Sequence, residues 1–208
     1  MSKNLLYLLL LGMVIFSCQK NTGLFEVTGK ITDLSSSSGL ENCTLYLYSY
    51  PVGTGEELLT DSTSTEYDGS YTFLFERSQM EKYKIIFDKD GYYKGEETIY
   101  FSSLSLEETN TVNLNTYGKS WVGIRLKNNS PQIEDHFRYM KQEGKSNCNE
   151  CCSDDEQNLY GNVDTTIYCA NNANDNYSIM YWVIGTSIAD IATVNTTFLD
   201  TTIMEITY

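Results

Sequence analysis

Apolar and polar residues alternate with a period of two along most of this chain, the pattern of half-buried strands. Phe25, Val27 and Ile31 alternate with Glu26, Thr28 and Lys30, and Cys43, Leu45 and Leu47 with Thr44, Tyr46 and Tyr48. A Thr- and Ser-rich stretch, 58–65, reads as an edge strand, and 70–75, 83–87, 97–101 and 111–115 complete a first set. Small residues at 35–39 and the Pro-Val-Gly-Thr-Gly run at 51–55 break it. Asp68-Gly69 between 58–65 and 70–75 is a short-range hairpin signal. Helical spacing is confined to one turn near 77–82. In the second half Val122, Ile124 and Leu126 alternate with Gly123, Arg125 and Lys127, and Phe137 and Tyr139 continue the pattern. Residues 141–160 read as a long polar loop, and 163–170, 177–184 and 194–208 as strands, with an Asn-rich turn at 171–176. Both halves end alike, in Thr111-Val112-Asn113-Leu114 and Thr202-Ile203-Met204-Glu205. The expectation is an all-β chain of two consecutive β-sandwich units of transthyretin or immunoglobulin type, at 24–115 and 116–208.

The one long apolar run lies at 5–16, behind Lys3. A membrane-spanning helix needs about 20 apolar residues, so this run is too short to span and has the length of a signal-peptide core. It ends in Val14-Ile15-Phe16-Ser17-Cys18. A small residue before Cys at that place resembles the lipobox of bacterial lipoproteins. The resemblance implies cleavage after residue 17, lipid on the Cys18 sulfur and a lipidated tether at 18–23. Each buried CH₂ contributes about 0.8 kcal/mol, so several acyl chains hold a domain on a bilayer. Gln19 in place of Asp points, by the same resemblance, to the outer membrane.

Composition narrows the partners. The formal net charge is −14 and deepens by one when Lys3 leaves with the leader. Such a chain repels phosphate backbones, which argues against nucleic acid. Two prolines and 17 tyrosines favour sheet. With Cys18 lipidated, five of the six cysteines remain. Cys43 lies on an apolar strand and reads as a free, buried thiol. Cys148, Cys151, Cys152 and Cys169 are disulfide candidates in an exported chain, with three pairings open. Cys151 and Cys152 are adjacent, which disfavours a bond between them.

The order Val27-Thr28-Gly29-Lys30-Ile31-Thr32-Asp33, then Gly39-Leu40-Glu41-Asn42-Cys43-Thr44-Leu45-Tyr46-Leu47, then Tyr67-Asp68-Gly69-Ser70-Tyr71-Thr72-Phe73, then Tyr83-Lys84-Ile85-Ile86-Phe87 before Gly91-Tyr92, resembles the carboxypeptidase regulatory-like domain. The likeness covers residues 25–115. It implies a transthyretin-like sandwich of about seven strands that serves as an accessory module, without peptidase activity.

Reactive constellations are incomplete. Cys148-Asn149-Glu150-Cys151 has the half-spacing of a zinc knuckle but no second pair. Asp88-Lys89-Asp90-Gly91 opens like a calcium loop, yet position 12 is Ile99. Asp154-Asp155-Glu156 is a compact acidic group that reads as a solvated loop. His136, the single histidine, follows Asp135, and Gly185-Thr186-Ser187-Ile188-Ala189 approximates a nucleophile elbow without its last glycine. No catalytic residues, metal or cofactor are therefore expected. If Cys43, Leu45 and Leu47 face the core, Tyr46, Tyr48 and Tyr50 line the outer face of one strand, a candidate binding stripe. Asp61-Ser62-Thr63, Asp164-Thr165-Thr166 and Asp200-Thr201-Thr202 resemble sites of bacterial O-glycosylation.

The sequence thus predicts a non-enzymatic envelope lipoprotein, on the periplasmic face or at the surface. It would bind or scaffold an extracytoplasmic glycan or protein. The competing expectation is a fimbrillin-like structural surface subunit, a family it resembles in lipobox and paired sandwiches and which assembles by strand exchange.

Overall fold

The computed structural model describes residues 23–208. The leader, Cys18 and most of the tether lie outside the described residues. The strands are β1 Leu24–Asp33, β2 Ser38–Gly39, β3 Thr44–Pro51, β4 Leu58–Ser64, β5 Ser70–Glu76, β6 Met80–Asp88, β7 Gly95–Tyr100, β8 Asn110–Thr111, β9 Leu114–Thr116, β10 Lys119–Lys127, β11 His136–Glu143, β12 Gln157–Tyr160, β13 Asp164–Asn172, β14 Asn176–Val183, β15 Ala189–Asn195 and β16 Thr201–Thr207.

Two β-sandwiches result. In the first, β1 pairs antiparallel with β5 and parallel with β8 and β9, with β2 a short addition. The facing sheet runs β4-β3-β6-β7. Alternation turns Phe25, Val27, Tyr71, Phe73 and Phe75 inward from one sheet and Leu45, Leu47, Tyr83, Ile85 and Phe87 inward from the other. In the second, β10 lies between antiparallel β13 and parallel β16, facing β12-β11-β14-β15. Val122, Ile124, Leu126, Met204 and Ile206 close on Phe137, Tyr139, Tyr177 and Ile179.

The two sandwiches have one topology. Strands β1, β3, β4, β5, β6, β7 and β9 correspond in chain order and in sheet position to β10, β11, β12, β13, β14, β15 and β16. Each closes with a strand parallel to its own first strand. The endings that look alike in sequence fall at these closing strands but one residue out of register, since Leu114 is buried and Glu205 exposed; by burial Leu114 corresponds to Met204.

Some local expectations change. Asp68-Gly69 does form a turn, with Gly69 at φ +81 and its amide bonded to the Glu66 carbonyl at 2.9 Å. It does not close a hairpin, because β4 belongs to one sheet and β5 to the other. Turn chemistry sets local dihedrals only. Strand β5 pairs instead with β1, from Leu24↔Glu76 to Lys30↔Ser70, with Tyr71, Phe73 and Phe75 turned into the core. The helical turn near 77–82 is extended chain from Met80 onward, continuing the period-two pattern of β6. The segment 111–115 is split into β8 and β9, and the loop 141–160 contains β12.

The seam between the sandwiches is tight. Only Tyr117 and Gly118 separate β9 from β10. The Lys119 amide donates to the Gly91 carbonyl at 2.7 Å, the Tyr93 hydroxyl to the Asn171 carbonyl at 2.9 Å, and the Asn174 side-chain amide to the Ser35 carbonyl at 3.1 Å. The Tyr92 and Phe198 rings lie 5.1 Å apart, and the Lys145 ammonium stands 4.0 Å from the Tyr93 ring centroid. Burial pushes the Tyr93 hydroxyl up to about 12, so it stays a neutral donor across the seam even in alkali that ionises an ordinary tyrosine. A Cβ on Gly118 would approach the Phe198 ring to 2.5 Å. Any larger residue here would have to displace that ring from the seam.

Candidate functional site

The four candidate cysteines form two bonds, Cys148–Cys151 and Cys152–Cys169, each with Cα atoms 5.1 Å apart. Cys169 is fully buried on β13, in one sheet of the second sandwich. Lys141 projects from β11 in the other sheet, with its side chain only 3% exposed. Its ammonium donates to the Lys145 and Cys152 carbonyls, both at 2.8 Å, and meets the Asp154 carboxylate at 2.6 Å. A disulfide to one sheet and a buried lysine from the other therefore fasten this loop across the open side of the sandwich. The lysine's hydrogen bond is also what holds the Asp154 carboxyl below the usual carboxylate range.

The acids of this loop point to different partners rather than to one centre. Asp155 accepts from the Ser153 hydroxyl, and Glu156 pairs with Arg138. Among the described residues no group of three or more His, Cys, Asp or Glu is placed to hold a metal ion. His136 stacks on Tyr160 and sits 2.6 Å from the Asn158 side-chain oxygen. Asp135 instead accepts from the Gln132 amide and the Asn128 side chain, which lower its pKa. Gly185 to Ala189 is the exposed turn from β14 into β15. Among the described residues Cys43 is the free cysteine; it is buried, and burial pushes its thiol up to about 11.

Tyr46, Tyr48 and Tyr50 share the outer face of β3 but not one environment. Tyr46 is exposed and lines a depression of about 430 Å³ with Asn42, Thr44, Asp88, Lys89 and Asp90. Tyr50 is held under Lys82 and Lys84, at 4.9 and 5.5 Å from its centroid, and bonds Glu57. That is cross-strand packing, which leaves Tyr46 the tyrosine of the three that lines a cleft.

A second cleft, about 530 Å³, lies at the seam. Its lining includes Asp33 and Ser36 from the end of β1 and the loop after it, Tyr67 from the β4–β5 turn, and Lys89 and Tyr92 from the loop after β6. The second sandwich adds Asn174 and Phe198. The Asp33 carboxylate accepts from the Ser35 amide at 2.8 Å and the Ser36 hydroxyl at 2.7 Å, with the Tyr92 hydroxyl at 3.4 Å. Lys89 lines both clefts and donates to the Glu41 carbonyl at 2.5 Å. Sequence reasoning missed this group, since its members lie far apart in the chain. The signal available was Tyr67, an aromatic at the apex of a turn with no strand to bury it.

No protein-family model matches the chain, and no curated protein matches it. Among solved structures it is similar to the Bacillus anthracis TIE protein, at 13% identity and TM-score 0.39, over 89% of this chain and 34% of that one. It is similar to a streptococcal ancillary pilin at 11% identity and TM-score 0.37, over 90% and 63% of the two chains. A minor pilin of Streptococcus agalactiae follows at 12% and 0.35, over 88% and 94%. The chain thus spans about a third of the first of these proteins and under two thirds of the second. At these values no argument about activity passes from them to this chain.

Proposed function

We propose that this chain is a structural subunit of the bacterial cell surface, a fimbrillin-like, non-catalytic protein held on the outer membrane by lipid at Cys18. The observation that carries the reading is the seam. Two sandwiches of one topology follow each other through a two-residue connection. Backbone and side-chain hydrogen bonds cross that junction. Domains in one chain ordinarily move relative to each other unless their interface restrains them. A restrained tandem suits a stalk or spacer better than an enzyme that must open and close. The stapled Cys148–Cys169 region adds resistance appropriate to an oxidising exterior. The separate engagement of Asp135 and His136 supports the non-catalytic part.

Two measurements test it. Surface material run on mild denaturing gels is expected to give a ladder of high-mass forms that boiling collapses to monomer. Monomer alone under both conditions defeats the subunit reading. Cys18→Ser is expected to move the protein from the membrane fraction to the soluble fraction, and unchanged retention defeats the lipid anchor.

A second reading, a binding module for an extracytoplasmic glycan or protein, is favoured by the clefts that meet at Lys89.

A further inference from the structure

We infer that the seam cleft, continued past Lys89 to Tyr46, binds a linear neutral glycan. This rests on the binding reading just given, and it moves the site from the tyrosine stripe to the junction of the sandwiches.

Shape comes first. The two depressions share Lys89, and Glu41 and Asn42, adjacent in sequence, line one each. Both are open to solvent. Compact ligands are mostly engulfed by their sites, whereas two open depressions that share a wall at Lys89 fit successive units of a chain molecule lying across it.

The lining chemistry selects the chain. Tyr67 is 85% exposed and unpacked, and Phe198 and Tyr46 are exposed at 38% and 37%. Flat aromatic faces suit the C–H face of a sugar ring, and the two tyrosine hydroxyls suit its hydroxyl rim. Sugar hydroxyls both donate and accept, and the trough offers both kinds of partner. Asp33 is buried and its carboxylate is taken up by Ser35, Ser36 and Tyr92, so it orders the rim, while the Ser36 and Ser38 hydroxyls, 2.7 Å apart, and the side-chain oxygen of Asn174 are the partners on offer. Asp33 already holds the Ser35–Ser36 loop and Tyr92 in place, so binding at this rim costs little reordering.

Charge sets the remaining limit. Asp33, Glu41, Asp88 and Asp90 line the two depressions against the single cation Lys89. An anionic polymer would be repelled by this excess, so among saccharides the neutral ones fit; a cationic chain would be drawn to the same acids, and binding that weakens with added salt would mark that occupant instead. A peptide is a poorer fit, because the strand edge in the lining is the two-residue β2, Ser38–Gly39, too short to pair with an extended chain.

The test is an NMR titration of the purified protein with cellohexaose, maltohexaose and mannohexaose. At least one is expected to shift amides around Asp33–Glu41, Tyr67 and Asp88–Tyr92. Tyr67→Ala is expected to weaken that binding by about 3- to 10-fold, the worth of one aromatic contact. Added salt is expected to leave it unchanged. Because Tyr67 is so exposed, its alanine variant should keep the native spectrum, which the same titration reads directly. The inference is overturned if none of the three shifts these amides at millimolar concentration. It is equally overturned if shifts fall elsewhere, or if a folded Tyr67→Ala variant binds undiminished. None of these outcomes touches the ladder or the Cys18→Ser fractionation, so the structural reading stands or falls separately.

Discussion

Replacing Cys152 and Cys169 together by alanine is expected to destabilise the second sandwich by roughly 3 kcal/mol. The bond joins residues 17 apart, and cutting a loop of that length returns substantial chain entropy to the unfolded state. The folded state loses something too. Cys169 is fully buried among the core residues of β10, β11 and β14. The Glu150 carbonyl accepts from the Ala170 amide at 2.9 Å, so the loop pairs beside that bond. Removing Cys148–Cys151, which spans a separation of only 3, should cost well under that amount, because a loop so short has little entropy to return. Urea denaturation of the two double variants beside the parent checks the difference. Equal losses would mean that loop length is not what governs this region.

The same staple shows how far sequence reading reaches. Four clustered cysteines suggest disulfides, but of the three pairings spacing disfavours only the one that joins adjacent Cys151 and Cys152. What selects Cys152–Cys169 is the loop laid over β13, an arrangement that Lys141 fixes from the opposite sheet. Strand faces were legible wherever apolar residues recur at period two, as in Phe25-Val27 and Tyr71-Phe73-Phe75, because burial on one face is a local property of the chain. Which strands pair was less so. The Asp68-Gly69 turn looks identical whether the chain returns in the same sheet or crosses to the other. Exposed Leu58 and Leu59 in β4 blur the pattern that would have separated the two. The shared topology of the halves left little trace, for even the similar closing segments are one residue out of register with the strands, since a fold needs matching burial and not matching residues. The seam cleft left almost none. Asp33, Lys89 and Phe198 carry no common spacing, and long-range pairing alone brings them together.

Gly69→Ala is the second change with a large expected effect, and Gly185→Ala is its control. Both glycines sit in turns at nearly the same dihedral, φ +81 and +80. A side chain there costs about 1–2 kcal/mol through backbone strain alone. Around Gly185 nothing lies within 4 Å of an added Cβ, so strain should be the whole cost. At Gly69 the added Cβ would stand 2.4 Å from the Ile31 carbonyl oxygen and 2.8 Å from the Leu40 amide nitrogen. These are backbone atoms, bonded to each other at 2.8 Å, while the Ile31 amide donates to the Gly69 carbonyl at 2.9 Å. The turn must move off β1, and two hydrogen bonds worth about 1 kcal/mol each are lost. The expected cost is therefore about 3–4 kcal/mol, against about 1–2 for Gly185→Ala. Tyr67 rides on the displaced turn, so a folded population of Gly69→Ala should also bind the hexasaccharide more weakly, while Gly185→Ala binds as the parent does. Denaturation midpoints together with the titration read both effects. Equal destabilisation by the two variants would show that the turn yields without disturbing β1, and that Tyr67 is not held by it.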